Sequence, residues 1–278
     1  MKLFALVAFS MLAFAGNSVL NRIGVAELGM DPFTFALIRV AAGVAVLWAL
    51  ILTRKSAKLD WHKPKRYAGA ASLALYMIGF SVAYLSLGAG LGALILFGLL
   101  QLLMFGWALV EGQKITVFRW AGAGVALAGL CVLLWPTGGA AVPFAGAVAM
   151  ILATIGWAVY TLLGRGEADA LGATGVNFAL CLPLMLVAFL WADGGGLSVG
   201  GVIVAILSGA VTSGLGYALW YKVLPQLETV TAAIAQLSVP VIAVVAGVLL
   251  LDEALTVRLA IAGALVVGGI GLSLLKRS

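Results

Sequence analysis

A chain of 278 residues that is 64% hydrophobic and 9% charged, with a mean hydropathy of +1.20, lies far outside soluble composition, where charged residues are about a quarter. No room is left for a soluble domain. The formal net charge of +6 must therefore be read against a membrane before it is read against a nucleic acid.

Ten apolar stretches are long enough to cross a bilayer as helices, which takes about 20 residues each. They fall at 3–20, 33–53, 67–87, 91–110, 118–135, 144–163, 171–191, 199–220, 230–250 and 257–275. The first contains Ala13-Phe14-Ala15, a pattern shared with signal-peptide cleavage sites, but nine further spans argue that it is retained. If the N-terminus lies on one side, thirteen of the 16 Lys and Arg residues fall on that side, Arg22 and Arg258 fall opposite, and Arg39 lies within a span. The positive-inside rule makes the crowded side the cytoplasm, with both termini inside, and makes the basic loop at 54–66 a topology anchor rather than a nucleic-acid patch.

Polar groups within spans are costly and point to function. On the first span Ser10, Phe14, Asn17 and Asn21 share one helical face. The third carries Tyr76, Phe80 and Tyr84 at successive i+4 spacings, and the fourth one deep polar residue, Gln101. Glycines of the fifth and tenth spans, among them Gly122, Gly129, Gly263 and Gly268, suit close helix packing or a dimer seam. The segment 136–139 and Pro143 form a joint. The sixth span offers Trp157 and Tyr160, the eighth Ser213, Tyr217 and Tyr221, and the ninth Gln236 ahead of Pro240, which can bend a helix. Trp48, Trp61, Tyr67, Trp120, Trp135 and Trp191 fit interfacial belts, whereas Tyr84, Trp220 and Tyr221 fit a belt or a cavity equally. Cys131 and Cys181 sit in apolar runs as small packing residues.

The chain also repeats itself. Phe14, Ala15, Leu20 and Arg22 fall on Trp157, Ala158, Leu163 and Arg165, and Phe35-Ala36-Leu37 falls on Phe178-Ala179-Leu180. Later, Glu111 falls on Glu253, Thr116-Val117 on Thr256-Val257, and Arg119 on Arg258. The fold expected is all-α and polytopic, with ten transmembrane helices in two five-helix repeats, 1–138 and 139–278. An odd number of spans per repeat inverts the second copy, and inverted repeats place a substrate path at their interface.

The ten acidic residues lie in loops or at span ends, and the single histidine, His62, lies in the basic loop. No metal cluster, thiol-imidazole pair or carboxylate dyad is in view, so neither an enzyme nor a metal or other cofactor is expected. A substrate site is expected instead, formed by Phe14, Asn17, Tyr76, Phe80, Tyr84, Gln101, Trp157, Tyr160, Ser213, Tyr217 and Gln236.

Two five-span halves, the motif Phe14-Ala15-Gly16-Asn17-Ser18, Arg39 inside the second span, and the span-Glu-x-x-Thr-Val-span hairpins resemble the drug/metabolite transporter superfamily in its ten-helix EamA-type branch. The finer resemblance is to bacterial inner-membrane exporters of aromatic amino acids and related metabolites. It implies alternating access. Phe14 stands where the branch often has tryptophan, and Gly98 where it often has proline.

Tyr and Trp with Asn, Gln and Ser can stack a planar group and hydrogen-bond a zwitterion. Aromatic or other neutral amino acids are therefore the substrates expected, exported facilitatively because no carboxylate or histidine sits at mid-span to carry a proton. The alternatives are a proton-coupled multidrug or cation exporter, and a nucleotide-sugar or sugar-phosphate carrier, for which only Arg39 would supply cavity charge. Membrane lipids are expected as surroundings and nucleic acid is not, and the chain is expected as a monomer or a weak homodimer through spans five and ten.

Overall fold

In this computed structural model the residues described are 2–54, 59–113, 115–135, 142–165, 167–223, 226–227 and 229–274. The joint expected at 136–139 and part of the basic loop lie outside them. The described residues form helices joined by short turns, without strands. In chain order these are α1 Lys2–Arg22, α2 Pro32–Leu52, α3 Pro64–Ala83, α4 Ala89–Val110 and α5 Val117–Leu134. Then come α6 Phe144–Gly164, α7 Ala170–Ala188, α8 Val199–Val223, α9 Thr229–Leu251 and α10 Val257–Ser273. Among the described residues seven helices are long and apolar enough to cross a membrane, and shorter apolar helices accompany them. Large apolar side chains such as Leu52, Phe144, Leu190 and Leu249 are exposed, as a lipid-facing exterior requires. The chain is a multi-pass membrane protein.

Helix starts are written in the sequence. Asp31 accepts from the Thr34 amide at 2.7 Å and Pro32 opens α2, while Thr116, Asp169, Ser198 and Thr256 cap α5, α7, α8 and α10 in the same way. Pro183 and Pro240 lie inside α7 and α9, and both helices continue past them. Two stretches widen into π-helix, Ile23–Glu27 after α1 and Ser208–Leu215 in the middle of α8.

Packing between the first five helices and the last five is reciprocal. α3 lies on α6 as α8 lies on α1, α1 touches α9 as α6 touches α4, α2 touches α8 as α7 touches α3, and α5 packs along α10. The small-residue seam expected of spans five and ten is spent within the chain. A Cβ on Gly122 would stand 2.4 Å from the Gly269 carbonyl, and one on Gly129 would stand 2.9 Å from Leu265 and Val266. Gly124 and Gly268 instead face open space.

Polar contacts differ between the two ends of the bundle. At the end where α1 and α3 finish, Arg22 donates to the Tyr84 carbonyl at 3.1 Å. There Glu253 accepts from the Ala89 amide at 2.5 Å and the Gly90 amide at 3.3 Å, at the start of α4. Arg258 donates to the Val132 carbonyl at 2.8 Å in the last turn of α5. At the opposite end Arg54 meets Asp169 at 2.7 Å, and Arg66, with Lys65, meets Glu167, fastening α2 and α3 to the α6–α7 turn. Burial raises the carboxyl pKa of Glu167, but hydrogen bonds and charge from Arg66 and Lys65 outweigh it and hold the group below the usual carboxylate range. Asp169 behaves likewise, with burial opposed by the Gly172 amide and Arg54.

Candidate functional site

Two close helix approaches build the site. On α3 a Cβ at Gly79 would stand 2.8 Å from the Ala149 carbonyl, and on α6 one at Gly156 would stand 2.6 Å from the Ser72 carbonyl. Only glycine lets these backbones meet, and the meeting brings Tyr76 and Trp157 to a ring separation of 4.9 Å. Trp157 also stacks on Tyr160 at 5.7 Å and lies 5.2 Å from Tyr217. Phe80 adjoins Tyr76 at 5.2 Å, and Phe14 stands edge-on to Tyr217 at 5.8 Å. Side chains far apart in the chain thus form one continuous aromatic wall.

That wall bounds a cavity of about 720 Å³, within the usual range for small-molecule sites. Of the residues expected to bind substrate, Phe14, Asn17, Tyr76, Phe80, Gln101, Trp157, Tyr217 and Gln236 line it. Tyr84, Tyr160 and Ser213 do not. Tyr84 packs edge-on behind Phe80 at 4.8 Å, Tyr160 backs Trp157, and Ser213 accepts from Arg39. The side-chain amides of Gln101 and Gln236 make no hydrogen bond among the described residues, although both face the cavity. Trp220 and Tyr221 line it as well, which resolves them as cavity residues. Tyr67, Trp120, Trp135 and Trp191 are exposed near helix ends, as belt residues should be.

The cavity reaches one end of the bundle. Its lining includes Gln113 after α4, Arg119 in the first turn of α5, Arg165 after α6, Leu227 after α8 and Leu274 after α10. At the other end it stops at Asn17, Tyr76 and Phe80. Behind that floor lies a buried polar network that joins Asn17, Asn21, Arg39 and Ser213, which the sequence singles out, to Ser81, Ser208 and Thr212, which it does not. The Asn17 carboxamide oxygen accepts from Ser208 at 2.8 Å and Thr212 at 3.1 Å, and its amide donates to the Tyr76 hydroxyl at 3.2 Å. Asn21 accepts from Ser81 at 3.0 Å. Arg39 donates from Nε to Ser213 at 3.1 Å and from Nη2 to the Tyr76 hydroxyl at 3.3 Å. Ser208, Thr212 and Ser213 all belong to the π-helical stretch of α8, where Gly209 lets α8 press on the Arg39 carbonyl, a Cβ there standing 2.0 Å away. Wide turns of this kind recur at functional sites because they re-aim side chains.

Among the described residues no cluster of His, Cys, Asp and Glu could hold a metal ion. A bundle with an apolar exterior and an aromatic-walled cavity that reaches one end only has the build of a membrane carrier for small molecules. The comparisons with known proteins agree. Residues 144–275 match the EamA-like transporter family. The chain is 42% identical to an uncharacterized protein of Pseudomonas aeruginosa, over 98% of this chain and 94% of that protein. It is 25% identical to an uncharacterized transporter of Archaeoglobus fulgidus, over 89% and 90% of the respective chains. A protein of known crystal structure, 21% identical, superposes with a TM-score of 0.69 over 98% of this chain and 96% of its own, a likeness of fold. The chain belongs to the EamA-like transporter family, within the drug/metabolite transporter superfamily, and is a membrane transporter of small molecules.

Proposed function

We propose that the protein exports neutral amino acids, aromatic ones above all, and related small metabolites across the inner membrane by alternating access. In this reading both termini and the 54–66 loop are cytoplasmic, and the cavity faces the cytoplasm. The two halves, 1–138 and 139–278, act as inverted repeats, a reading supported by their reciprocal packing. The observation that carries the substrate class is the combination of an aromatic wall centred on Trp157 with the unengaged amides of Gln101 and Gln236 across one cavity. The wall stacks a planar side chain, and the amides hydrogen-bond the polar end.

Transport runs down the substrate's own gradient. A proton-coupled carrier needs a group that gains a proton in one state and loses it in the other, ordinarily a carboxylate or histidine within the spans. All ten acids of this chain fall in loops or at span ends. The test is flux in proteoliposomes with tryptophan, phenylalanine, leucine and a cationic dye as probes, with and without an imposed pH gradient. Tryptophan counterflow that is indifferent to a protonophore is expected. Concentrative uptake that needs the pH gradient would refute facilitation, and flux of the dye without the amino acids would refute the substrate class.

A further inference from the structure

We propose that Arg39 is the group that receives the substrate's carboxylate, so that the site selects aromatic carboxylates and zwitterions over aromatic amines. This rests on the transporter reading above and deepens it. Arg39 is 0% exposed, yet its surroundings are neutral: Ser213, the Tyr76 hydroxyl, and the faces of Tyr76 and Phe80, whose ring centres lie 5.4 and 5.2 Å from the guanidinium carbon. Its Nη1 meets no hydrogen-bond partner among the described residues. Arg66, the other buried arginine among the described residues, is instead paired with Glu167 at 2.7 Å.

Burying a full charge without a counter-ion is expensive, and neutral donors would serve a purely structural role better. Cation–π contact and two neutral acceptors offset part of that cost. What remains is an attraction for an anion, and a guanidinium presents the planar fork that fits a carboxylate. The position suits this. Tyr76 and Phe80 form the cavity floor, so Arg39 lies one ring behind the space that an aromatic substrate would fill. The Tyr76 hydroxyl accepts from both Asn17 and Arg39. A carboxylate entering from either side as the floor opens takes over those donors and the free Nη1. The repeat offset that pairs Phe35 with Phe178 pairs Arg39 with Leu182, so the cation occurs once, as one substrate requires.

The test compares tryptophan, indole-3-propionate and tryptamine as probes in proteoliposomes of the full chain. Wild type should carry at least one of the two carboxylates, and tryptophan methyl ester should compete at least about tenfold more weakly than tryptophan. Arg39→Gln should lose carboxylate flux by about tenfold or more while tryptamine flux stays within about twofold, and Arg39→Lys should fall between. If Arg39→Gln does not fold, the ester comparison on wild type still decides. Equal competition by ester and acid, equal loss of all three probes in Arg39→Gln at matched folding, or a wild type that carries no carboxylate would each overturn the proposal. Flux of indole-3-propionate without tryptophan would uphold Arg39 and refute amino-acid export.

A second inference rests on the two ends of the bundle. We infer that three helix-end latches exchange partners between repeats as the carrier turns over. At the closed end all three are engaged: Glu253 on the N-terminus of α4, Arg22 on the last carbonyls of α3, and Arg258 on the last turn of α5. These place an anion at an N-terminus and cations at C-termini, as helix dipoles favour. The repeat pairs these residues with Glu111, Arg165 and Arg119. Among the described residues none of these holds the matching helix at the open end. Arg119 and Arg165 line the cavity mouth, without a side-chain partner among the described residues, and Glu111 accepts from Trp107 at 2.7 Å and Gln113 at 2.9 Å.

In the opposite state Glu111 takes the N-terminus of α9, Arg165 the end of α8 and Arg119 the end of α10, while the first three release. Closure of one end thereby replaces the bonds lost at the other. The readout is the labelling rate, from the open end, of Thr161→Cys in the cavity, in a background without Cys131 and Cys181. Glu253→Gln, and independently Arg258→Gln, should slow labelling by about three- to tenfold, and Glu111→Gln should leave it unchanged or faster. Unchanged labelling in both closed-end variants, or slower labelling in Glu111→Gln, would refute the exchange.

Discussion

Trp157→Ala isolates the aromatic wall. The substitution removes an indole that meets Tyr76, Tyr160 and Tyr217 at 4.9, 5.7 and 5.2 Å, each pair being worth about 0.5–1.5 kcal/mol beyond area burial. Three pairs set a stability loss of roughly 1.5–4.5 kcal/mol, with the lower half expected because one face of Trp157 borders an open cavity. For the substrate, loss of one stacking face costs about 1 kcal/mol or more, which is a fivefold or greater rise in KM. Trp157→Phe keeps a smaller ring and should fall between. The assay is tryptophan flux in proteoliposomes normalised to folded protein, beside a thermal melt in detergent. Trp191→Ala, 69% exposed after α7, is the control and should leave KM unchanged. Equal kinetics for Trp157→Ala and Trp191→Ala at equal folded amounts would refute the assignment of the wall to substrate.

Other consequences are equally direct. Gly156→Val forces side-chain atoms into the Ser72 carbonyl, 2.6 Å from its Cβ, so it should destabilise by about 1–3 kcal/mol and lower the melting temperature. The ion pairs of Glu167 and Asp169 depress both carboxyl pKa values below their ordinary 4.5 and 3.8. Their stabilisation is therefore complete above those values and lost as pH falls through the lower folded-state ones. Melts from pH 7 to pH 3 should show this drop, flattened in Glu167→Gln. For orientation, an impermeant thiol reagent should reach Gln113→Cys only from the cytoplasmic side and Leu197→Cys only from the periplasmic side, since the two exposed positions lie at opposite ends of the bundle.

Much of the helix plan is legible in the sequence because lipid demands continuous apolar runs and capping residues mark their starts. Asp31, Thr116, Asp169 and Thr256 all cap where those runs begin. The aromatic part of the site is legible too, since a Tyr or Trp deep in a span has few other uses. The polar floor is harder to read. Ser208 and Thr212 look like ordinary small residues, and a uniform period of 3.6 would not place them together with Ser213 toward Asn17 and Arg39. The π-helical stretch does so. Tyr84 and Tyr160 mislead in the opposite sense. The i+4 ladder puts Tyr84 on the cavity face and the repeat puts Tyr160 where Asn17 stands, but Phe80 and Trp157 stand in front of them, and the order of two rings along one line of sight is set by packing between helices.

The proposed mechanism separates what the repeat must copy from what it must not. Gates have to be copied, because each end must be able to close by bonds of similar strength, or one state would hold the population and turnover would stall. The latch residues obey this, with Arg22, Arg258 and Glu253 matched by Arg165, Arg119 and Glu111. A single substrate molecule has no such symmetry, so the residues that orient it should differ between copies. They do: in the repeat Phe14 falls on Trp157, Asn17 on Tyr160, and Arg39 on Leu182. The latch residues are thus alike between the halves and the orienting residues unlike, the distribution expected of a carrier that presents one oriented site to two sides in turn.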